Sequence, residues 1–262
     1  MKSSQKTNNQ LQTHIHFLLD KSGSMFQNWV STTKGASIFI KEQKKNDNTF
    51  TLTVFSSTIK TICKNISIKN INENILKNIV PSGSTSLNDA IAYSIEQEQK
   101  NIWIRNSNGR LTKSNKIIVI LTDGFENSST KFTKNTISKL IQQKEKLNWK
   151  FIYLGANQDA IEEAMSYGIS QQSALTFNTN KSSIPQLFRN LSNSINRSSL
   201  NNNIPYFTTL ERVSSVQKSK SPSSTFYNSS YKKTNYTLAP PKLIRTKTVN
   251  FQTSLNFNSK SI

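Results

Sequence analysis

The sequence has few cysteines, few acidic residues and few long apolar runs. Its single cysteine, Cys63, excludes an internal disulfide bond and is typical of a reducing compartment. No apolar run reaches the roughly 18 residues of a membrane span, and no apolar segment follows Lys2 and Lys6. We therefore expect no membrane span, no signal peptide and a cytoplasmic protein that is not secreted.

Acidic side chains are outnumbered by basic ones, 14 to 34, which gives a formal net charge of +20. A charge of this size favours nucleic acid or an acidic membrane surface as a partner. The basic residues are nevertheless scattered, and the abundance of Lys, Asn and Ile is typical of an AT-rich genome. Binding to nucleic acid, weakly and through a basic tail, is kept as the alternative function.

Hydrophobic residues make up only 34% of the 262 residues, and they are unevenly distributed. Apolar runs such as 15–19 lie in the first 200 residues, whereas Ser, Asn, Thr, Lys and Pro dominate from Ser198 onward. This composition predicts a flexible N-terminus (1–12), one folded domain (13–197) and a disordered basic C-terminal tail (198–262).

Strand and helix patterns alternate along the folded part. Strand patterns occupy 14–19, 50–55, 59–68, 116–122, 151–154 and 174–177, and helical patterns occupy 29–44, 71–79, 87–99, 133–147, 157–167 and 184–195. Residues 105–115 are predicted to form a polar loop. This order predicts an α/β fold of the doubly wound, Rossmann-like type, with a mostly parallel central sheet flanked by helices.

Five oxygen-bearing side chains follow strands or precede a helix at positions where a parallel sheet binds ligands. Three of them lie just after the first strand, one lies in a loop before a helix, and one follows the strand at 116–122. They are Asp20, Ser22, Ser24, Thr85 and Asp123. Hard oxygen ligands suit Mg²⁺, with Mn²⁺ or Ca²⁺ as alternatives, rather than zinc.

The types of ligand indicate what such a metal would do. Only two of the five ligands are carboxylates and three are neutral hydroxyls, and Mg²⁺ requires six ligands. One position is then left for water or for a carboxylate from outside the chain. The sequence thus predicts a metal site that binds an Asp or Glu of a partner protein.

The segment Asp20-Lys21-Ser22-Gly23-Ser24 resembles the D-x-S-x-S signature of von Willebrand factor type A (vWA) domains, whose metal site is called MIDAS. Gly83-Ser84-Thr85 resembles the threonine loop of the family, and Leu121-Thr122-Asp123-Gly124 resembles its second aspartate loop. The resemblance covers roughly residues 13–197. It implies that Ser22, Ser24 and Thr85 contact the metal, that Asp20 and Asp123 act directly or through water, and that the chain binds protein without catalysis.

Two later segments resemble a vWA subgroup of bacteriophages and large DNA viruses. They are Ile152-Tyr153-Leu154-Gly155-Ala156-Asn157-Gln158-Asp159-Ala160 and Tyr167-Gly168-Ile169. This resemblance implies a viral protein in the host cytoplasm. The chain departs from the extracellular adhesion members of the family because it lacks flanking cysteines and a secretion signal.

Other interpretations of the same residues remain open. Ser and Asp after a strand are common helix caps, and Asp20 and Asp123 beside Mg²⁺ are also compatible with phosphoryl transfer. The sequence has no G-x-S-x-G elbow and no glycine-rich phosphate loop, which argues against a hydrolase.

Four isolated residues receive structural interpretations. His14 and His16 share one strand face, but a third zinc ligand is not evident, which favours histidines of the core or strand edge. Glu126 is interpreted as a loop carboxylate, with a hydrogen bond to metal-bound water as the alternative. Cys63 is interpreted as a buried or half-buried thiol.

Overall fold

The computed structural model describes residues 12–100, 103–105, 111–156, 159–179 and 183–216. The described strands are β1 (Thr13–Asp20), β2 (Thr49–Phe55), β3 (Ile59–Ser67), β4 (Trp103–Arg105), β5 (Leu111–Lys113), β6 (Asn115–Thr122), β7 (Lys150–Ala156) and β8 (Ala174–Phe177). The described α-helices are α1 (Trp29–Gln43), α2 (Leu87–Gln99), α3 (Lys134–Glu145), α4 (Ala160–Ser166), α5 (Ser183–Asn201) and α6 (Thr209–Val216).

One six-stranded sheet organises the described residues, with the strand order β3-β2-β1-β6-β7-β8. All its neighbouring strands are parallel except β3, which pairs antiparallel with β2 at one edge. Every residue of β1, β2, β6 and β7 is buried, because helices cover both faces of the sheet. The predicted doubly wound α/β fold is confirmed.

Alternate residues of the central strands supply two separate apolar cores. Ile117, Val119 and Leu121 of β6 pack on the face covered by α1 and α5, and Ile118 and Ile120 pack on the face covered by α2, α3 and α4. This alternation is the two-residue period of a strand buried on both sides.

Helices α1 and α5 approach closely at Gly35. A Cβ atom added to Gly35 would lie 2.2 Å from the ring of Phe188, so only glycine fits there without displacing that ring. Phe188 also stacks on Phe17 of β1, with 6.1 Å between the ring centroids. The close approach therefore fixes α5 against the centre of the sheet.

A polar network lies on the other face, where β1 meets the end of α2. One carboxylate oxygen of Glu98 is 3.0 Å from His14 Nε2 and 3.0 Å from His16 Nδ1, and its second oxygen is 3.0 Å from Lys116 Nζ. All four side chains are buried. The interpretation of the histidines as core residues is confirmed, and Glu98, which the sequence did not single out, is the group that holds them.

Two predicted elements differ from the structure. Residues 71–79 form turns closed by bonds such as Ile75 N–H to the Asn72 carbonyl (3.1 Å), and not a helix. The asparagine side chains compete for the backbone, as Asn72 Oδ1 does by accepting from Asn74 N–H at 2.9 Å. Residues 105–115, predicted as a loop, include β5 and the end of β4, which pair as an antiparallel ribbon.

Several smaller predictions can be compared with the structure. Cys63 is half-buried, as predicted, and burial raises the pKa of its thiol. The side chain of Asp159 caps α4 by accepting from Ile161 N–H and Glu162 N–H. Asn157, the first residue of the helical pattern at 157–167, lies outside the described residues. No described helix is both long enough and apolar enough to cross a bilayer.

The folded part continues beyond the predicted boundary at Ser198. Helix α5 runs to Asn201, α6 packs against β8 and α5, and Ser198 and Phe207 are buried. The boundary is therefore too early, and the packed chain extends at least to Val216. The rest of the predicted tail (217–262), like residues 1–11 of the predicted flexible N-terminus, lies outside the described residues.

Polar side chains explain why this extension was missed. Asn190 of α5 is buried, and its Nδ2, which has two hydrogens to donate, lies 3.0–3.1 Å from the Glu211 carbonyl oxygen, Ser214 Oγ and Ser215 Oγ. Helix packing through serine and asparagine leaves no apolar periodicity in the sequence.

Candidate metal centre

Three loops meet at the edge of the sheet formed by the carboxyl ends of its parallel strands. β1 ends at Asp20 and β6 ends at Thr122, and these two strands are neighbours with Leu19 paired to Leu121. In chain order, the loop after β1 is the first, residues 81–86, which lead into α2, are the second, and the loop after β6 is the third. The structure therefore brings the predicted ligands to one place.

Backbone hydrogen bonds join the first and second loops. Gly23 N–H donates to the Gly83 carbonyl at 2.9 Å, and Ser82 N–H donates to the Lys21 carbonyl at 2.7 Å. Gly83 has φ +84°, and a Cβ there would lie 2.7 Å from Ser57 Oγ, so glycine is needed for both conformation and space. The loop that carries Thr85 is thus fixed against the loop that carries the serines.

Asn127 joins the second and third loops. Its Oδ1 accepts from Thr85 N–H at 2.8 Å, and its own N–H donates to the Thr85 carbonyl at 3.0 Å. This reciprocal pair holds both sides of the Thr85 backbone. The sequence analysis did not single out Asn127, and its position in a polar loop gave no periodic signal by which it could have been found.

Ser22, Ser24 and Asp123 form a hydrogen-bonded chain. Ser24 Oγ donates to Asp123 Oδ1 at 2.6 Å, and Ser22 Oγ lies 3.0 Å from Ser24 Oγ. Because Ser24 gives its only hydroxyl proton to Asp123, Ser22 is the donor to Ser24. Oxygen atoms of side chains from two loops therefore lie close together, as the binding of a single ion would require.

Asp20 is the most buried of the predicted ligands, with 0% of its surface exposed. Its Oδ1 accepts from Ser22 N–H and its Oδ2 accepts from Thr122 Oγ1, both at 2.7 Å. Burial, with a smaller contribution from the carboxylate of Asp123, raises the pKa of the Asp20 carboxyl to about 6, although the hydrogen bonds from Thr122 and Ser22 act in the opposite direction. Burial likewise raises the pKa of Asp123.

Thr85 and Ser24 border a small space above Gly124. A Cβ on Gly124 would lie 3.6 Å from Thr85 Oγ1 and 3.7 Å from Ser24 Oγ. The absence of a side chain at Gly124 therefore leaves both hydroxyls facing open space instead of a methylene group. All five predicted ligands are accordingly grouped within three adjoining loops.

Glu126 has a structural role in the third loop. Its Oε1 accepts from Ser128 N–H and Ser129 N–H, and its Oε2 accepts from Asn88 N–H at 2.7 Å in the first turn of α2. The interpretation as a loop carboxylate is confirmed. Asp89 acts similarly, since it is in the first turn of α2 and accepts from the backbone of 130–132.

The donor set fits a hard divalent cation. Two carboxyl groups and three hydroxyls meet, and the raised pKa of both carboxyl groups reflects buried negative charge without full compensation. A divalent cation would supply that compensation and lower both pKa values. Each oxygen of Asp20 accepts one hydrogen bond and retains a lone pair for an ion or for its water.

Comparisons with known proteins identify the family and the fold of the chain. The family model of the von Willebrand factor type A domain matches residues 14–194. Among solved structures, proximal thread matrix protein 1 from the mussel byssus, with a zinc-occupied MIDAS motif, has a TM-score of 0.53 at 20% identity. The match covers 71% of this chain and 48% of the mussel chain.

Two bacterial structures are also similar. The minor pilin PilB from Streptococcus sanguinis has a TM-score of 0.54 at 16% identity, over 74% of this chain and 63% of that chain. The von Willebrand factor type A protein from Catenulispora acidiphila has a TM-score of 0.53 at 14% identity, over 70% and 42% of the two chains. At these identities the likeness establishes the fold alone, and this chain spans about half the length of the mussel structure.

Proposed function

Because this chain belongs to the von Willebrand factor type A family, we propose that it binds a partner protein through a divalent metal ion, Mg²⁺. The observation that carries the proposal is the convergence of five oxygen-bearing side chains, in which Ser24 Oγ and Asp123 Oδ1 lie 2.6 Å apart across two loops. The zinc-occupied MIDAS motif of the mussel protein supports the assignment by similarity of fold.

The proposed ligands divide into two groups. Ser22, Ser24 and Thr85 would present hydroxyl oxygens to the metal, and Asp20 and Asp123 would hold it directly or through water. Oxygen donors of this kind suit Mg²⁺, with Mn²⁺ or Ca²⁺ as alternatives. Two carboxylates balance the formal +2 charge, so the bound cation would stay electrophilic where neutral hydroxyls and water contact it in place of carboxylates.

The open position on such an ion identifies the chemistry of the partner. A carboxylate from outside the chain would complete the ligand number of the ion and would bind it more strongly than water does. Ser24 is exposed and Asp123 is partly exposed, so the metal would be reached from solvent on this side. The partner is therefore proposed to supply an Asp or Glu side chain.

The proposal includes no catalytic step and a cytoplasmic location. Asp20, the carboxylate that a phosphatase-like reaction would use as a nucleophile, is buried, and both its oxygens accept hydrogen bonds. Such a group is suited to holding an ion and poorly placed to attack a substrate.

Isothermal titration with Mg²⁺ tests the site directly. The intact protein should bind the ion, and Asp123→Ala should abolish binding because one of two carboxylates is lost. Asp47→Ala is the matched control, since Asp47 is exposed and its partner is Lys69 at 3.6 Å. Saturation at about 100 times the dissociation constant should stabilise the fold by about 2.7 kcal/mol. If the intact protein binds none of Mg²⁺, Mn²⁺ and Ca²⁺, the site assignment is wrong.

Binding of nucleic acid through the tail is the alternative function. Most basic residues of the predicted tail (198–262) lie outside the described part of the chain. Arg212 lies within it and donates to the carbonyl oxygens of Ala174, Gln171 and Gln172, so its guanidinium group already has hydrogen-bond partners. The two functions respond differently to conditions: metal-dependent protein binding is lost with a chelator, whereas nucleic-acid binding is lost with salt and is indifferent to the chelator.

A further inference from the structure

Two phenylalanines beside the metal centre are exposed to solvent. Phe26 is 69% exposed and follows Ser24 by two residues, and Phe125 is 60% exposed and follows Asp123 by two residues. Each phenylalanine Cα therefore lies within about 7 Å of the Cα of a proposed ligand. Because Ser24 and Asp123 are hydrogen-bonded to each other, the two phenylalanines belong to loops that meet at one site.

The backbone around Phe26 is fixed. Met25, its neighbour, is buried in the core and its N–H donates to the Ser22 carbonyl at 3.1 Å. Trp29 is also buried three residues later. Phe26 is thus held outward between two anchored side chains, and its exposure is a consequence of the fold.

The backbone around Phe125 is fixed in the same way. The Thr122 hydroxyl lies 3.2 Å from Gly124 N and 3.0 Å from the Gly124 carbonyl oxygen, and Asn127 is tied to Thr85 on the other side. An aromatic side chain on a fixed backbone has only two rotatable χ angles, so it loses little conformational entropy when a partner covers it. Exposed apolar groups beside a ligand site are typical of a surface that binds protein.

We propose that Phe26 and Phe125 form an aromatic rim that selects a partner loop in which the metal-binding Asp or Glu is flanked by apolar residues. This inference rests on the proposed function, because the metal-bound carboxylate is what places the partner loop between the two rings. The rim accounts for which carboxylate is chosen: the ion binds any accessible one, and the rings add affinity only when apolar neighbours accompany it.

The net charge of the chain indicates the charge that the rest of the partner's surface should carry. The net charge of +20 repels basic proteins and attracts acidic ones over distances beyond contact. The partner is therefore an acidic protein whose binding loop places apolar residues on either side of its metal-binding carboxylate.

Three blocked pentapeptides, titrated in saturating Mg²⁺ and followed by NMR, test the rim. Their sequences are Gly-Gly-Asp-Gly-Gly, Gly-Leu-Asp-Leu-Gly and Gly-Leu-Asn-Leu-Gly. Partial burial of two leucines should make the second bind about tenfold more tightly than the first. The third should bind at least tenfold more weakly than the second, because its amide carries no charge for the ion.

A double variant, Phe26→Ala with Phe125→Ala, should reduce the advantage of the leucine peptide to within about twofold. Its affinity for Mg²⁺ alone should be unchanged, since neither ring is a ligand. The control is Leu147→Ala, which removes an equally exposed side chain (59%) just before β7, at the opposite edge of the sheet, and should keep the advantage.

The possible results separate the two proposals. Equal binding of the glycine and leucine peptides, or an advantage that persists in the double variant, overturns the aromatic rim and leaves the metal-dependent function standing. If neither aspartate peptide binds in a manner that EDTA reverses, the proposed function fails, and the rim fails with it.

Discussion

Asp20 combines full burial with two hydrogen-bond donors and a neighbouring carboxylate, Asp123. Burial raises its pKa from 3.8 to about 6, so the folded protein without metal binds this proton more tightly than the unfolded chain does. Stability without metal therefore decreases as the pH rises from about 4 to about 6, and the loss remains complete above that interval. A divalent cation would reverse this loss.

We expect Asp20→Asn to raise the melting temperature of the metal-free protein at pH 7.5. The pKa difference corresponds to a cost of ionisation of up to about 3 kcal/mol, which the amide avoids. Its oxygen can still accept from Ser22 N–H, and its nitrogen can donate to the Thr122 hydroxyl, whose proton then turns to the Gly124 carbonyl at 3.0 Å. Thermal unfolding with EDTA measures the effect.

Two further measurements make this prediction specific. The stabilisation should disappear near pH 4, where the carboxyl of Asp20 is itself protonated in the folded protein. Added Mg²⁺ should stabilise the parent protein and leave the variant unchanged. A variant that is less stable than its parent in EDTA at pH 7.5 would contradict the assignment of an uncompensated buried charge.

At the level of elements, the predictable parts were those with apolar periodicity. Helix α2 and strand β8 have the predicted bounds, 87–99 and 174–177, because burial on one face or both leaves a regular pattern. Apolar periodicity gave a wrong prediction at 71–79, where the apolar spacing is helical but the Asn72 side chain bonds to the backbone of a turn. It gave no signal for α6, because the surface of α5 on which α6 packs is polar.

The positions of the proposed metal ligands were predictable from the sequence, whereas the residues that hold the loops around them were not. Asp20 and Asp123 follow strands directly, so strand ends indicated their place. Asn127 and Glu126 act across loops 38–42 residues apart in sequence, and only the fold shows that they hold Thr85 and the start of α2. The resemblance of 152–160 to a viral subgroup concerns origin, and it stays a prediction.

The contact between β1 and α2 depends on Glu98, the centre of the buried polar network. Its carboxylate accepts from His14, His16 and Lys116, and the hydrogen bonds and positive charge around it hold the pKa of Glu98 well below its usual range. Burial dominates at His16 and lowers the pKa of its imidazole, which favours the neutral ring. Within the network, the carboxylate of Glu98 is paired with the ammonium group of Lys116.

Glu98→Gln should destabilise the protein by about 3 kcal/mol or more, because it leaves the buried ammonium group of Lys116 without its counter-charge. Glu96→Gln on the same helix is the control: Glu96 is paired with Lys100 at 2.8 Å, but both side chains are 61% exposed. That change should cost less than about 1 kcal/mol. Urea unfolding at pH 7.5 measures both variants, and equal midpoints would show that the network contributes nothing.

At the scale of the whole fold, the proposed metal centre and the last described helices lie in different parts of the described structure. The three ligand loops occupy the carboxyl edge of the sheet, whereas α6 packs against β8 and α5. Residues 198–216 contribute to that packing, and residues 217–262 carry eight lysines and arginines with no acidic residue. Chains that end at different residues can therefore separate the contribution of 198–216 to folding from the positive charge of 217–262.

A chain ending at residue 216 should keep the melting temperature and Mg²⁺ affinity of the full protein, whereas a chain ending at 197 should melt far lower or fail to fold. Ending the chain at 197 removes Glu211, whose carboxylate receives two hydrogen bonds from Arg197 at 2.8–2.9 Å, and removes Phe207 from the core.

In the full chain, Glu211→Gln should lower stability by about 1–3 kcal/mol. This variant tests the same contact if the chain that ends at 197 does not fold. Equal melting of the two shortened chains, or loss of folding at 216, would show that the folded part ends elsewhere. DNA binding that disappears at 216 and resists EDTA would assign the alternative function to residues 217–262.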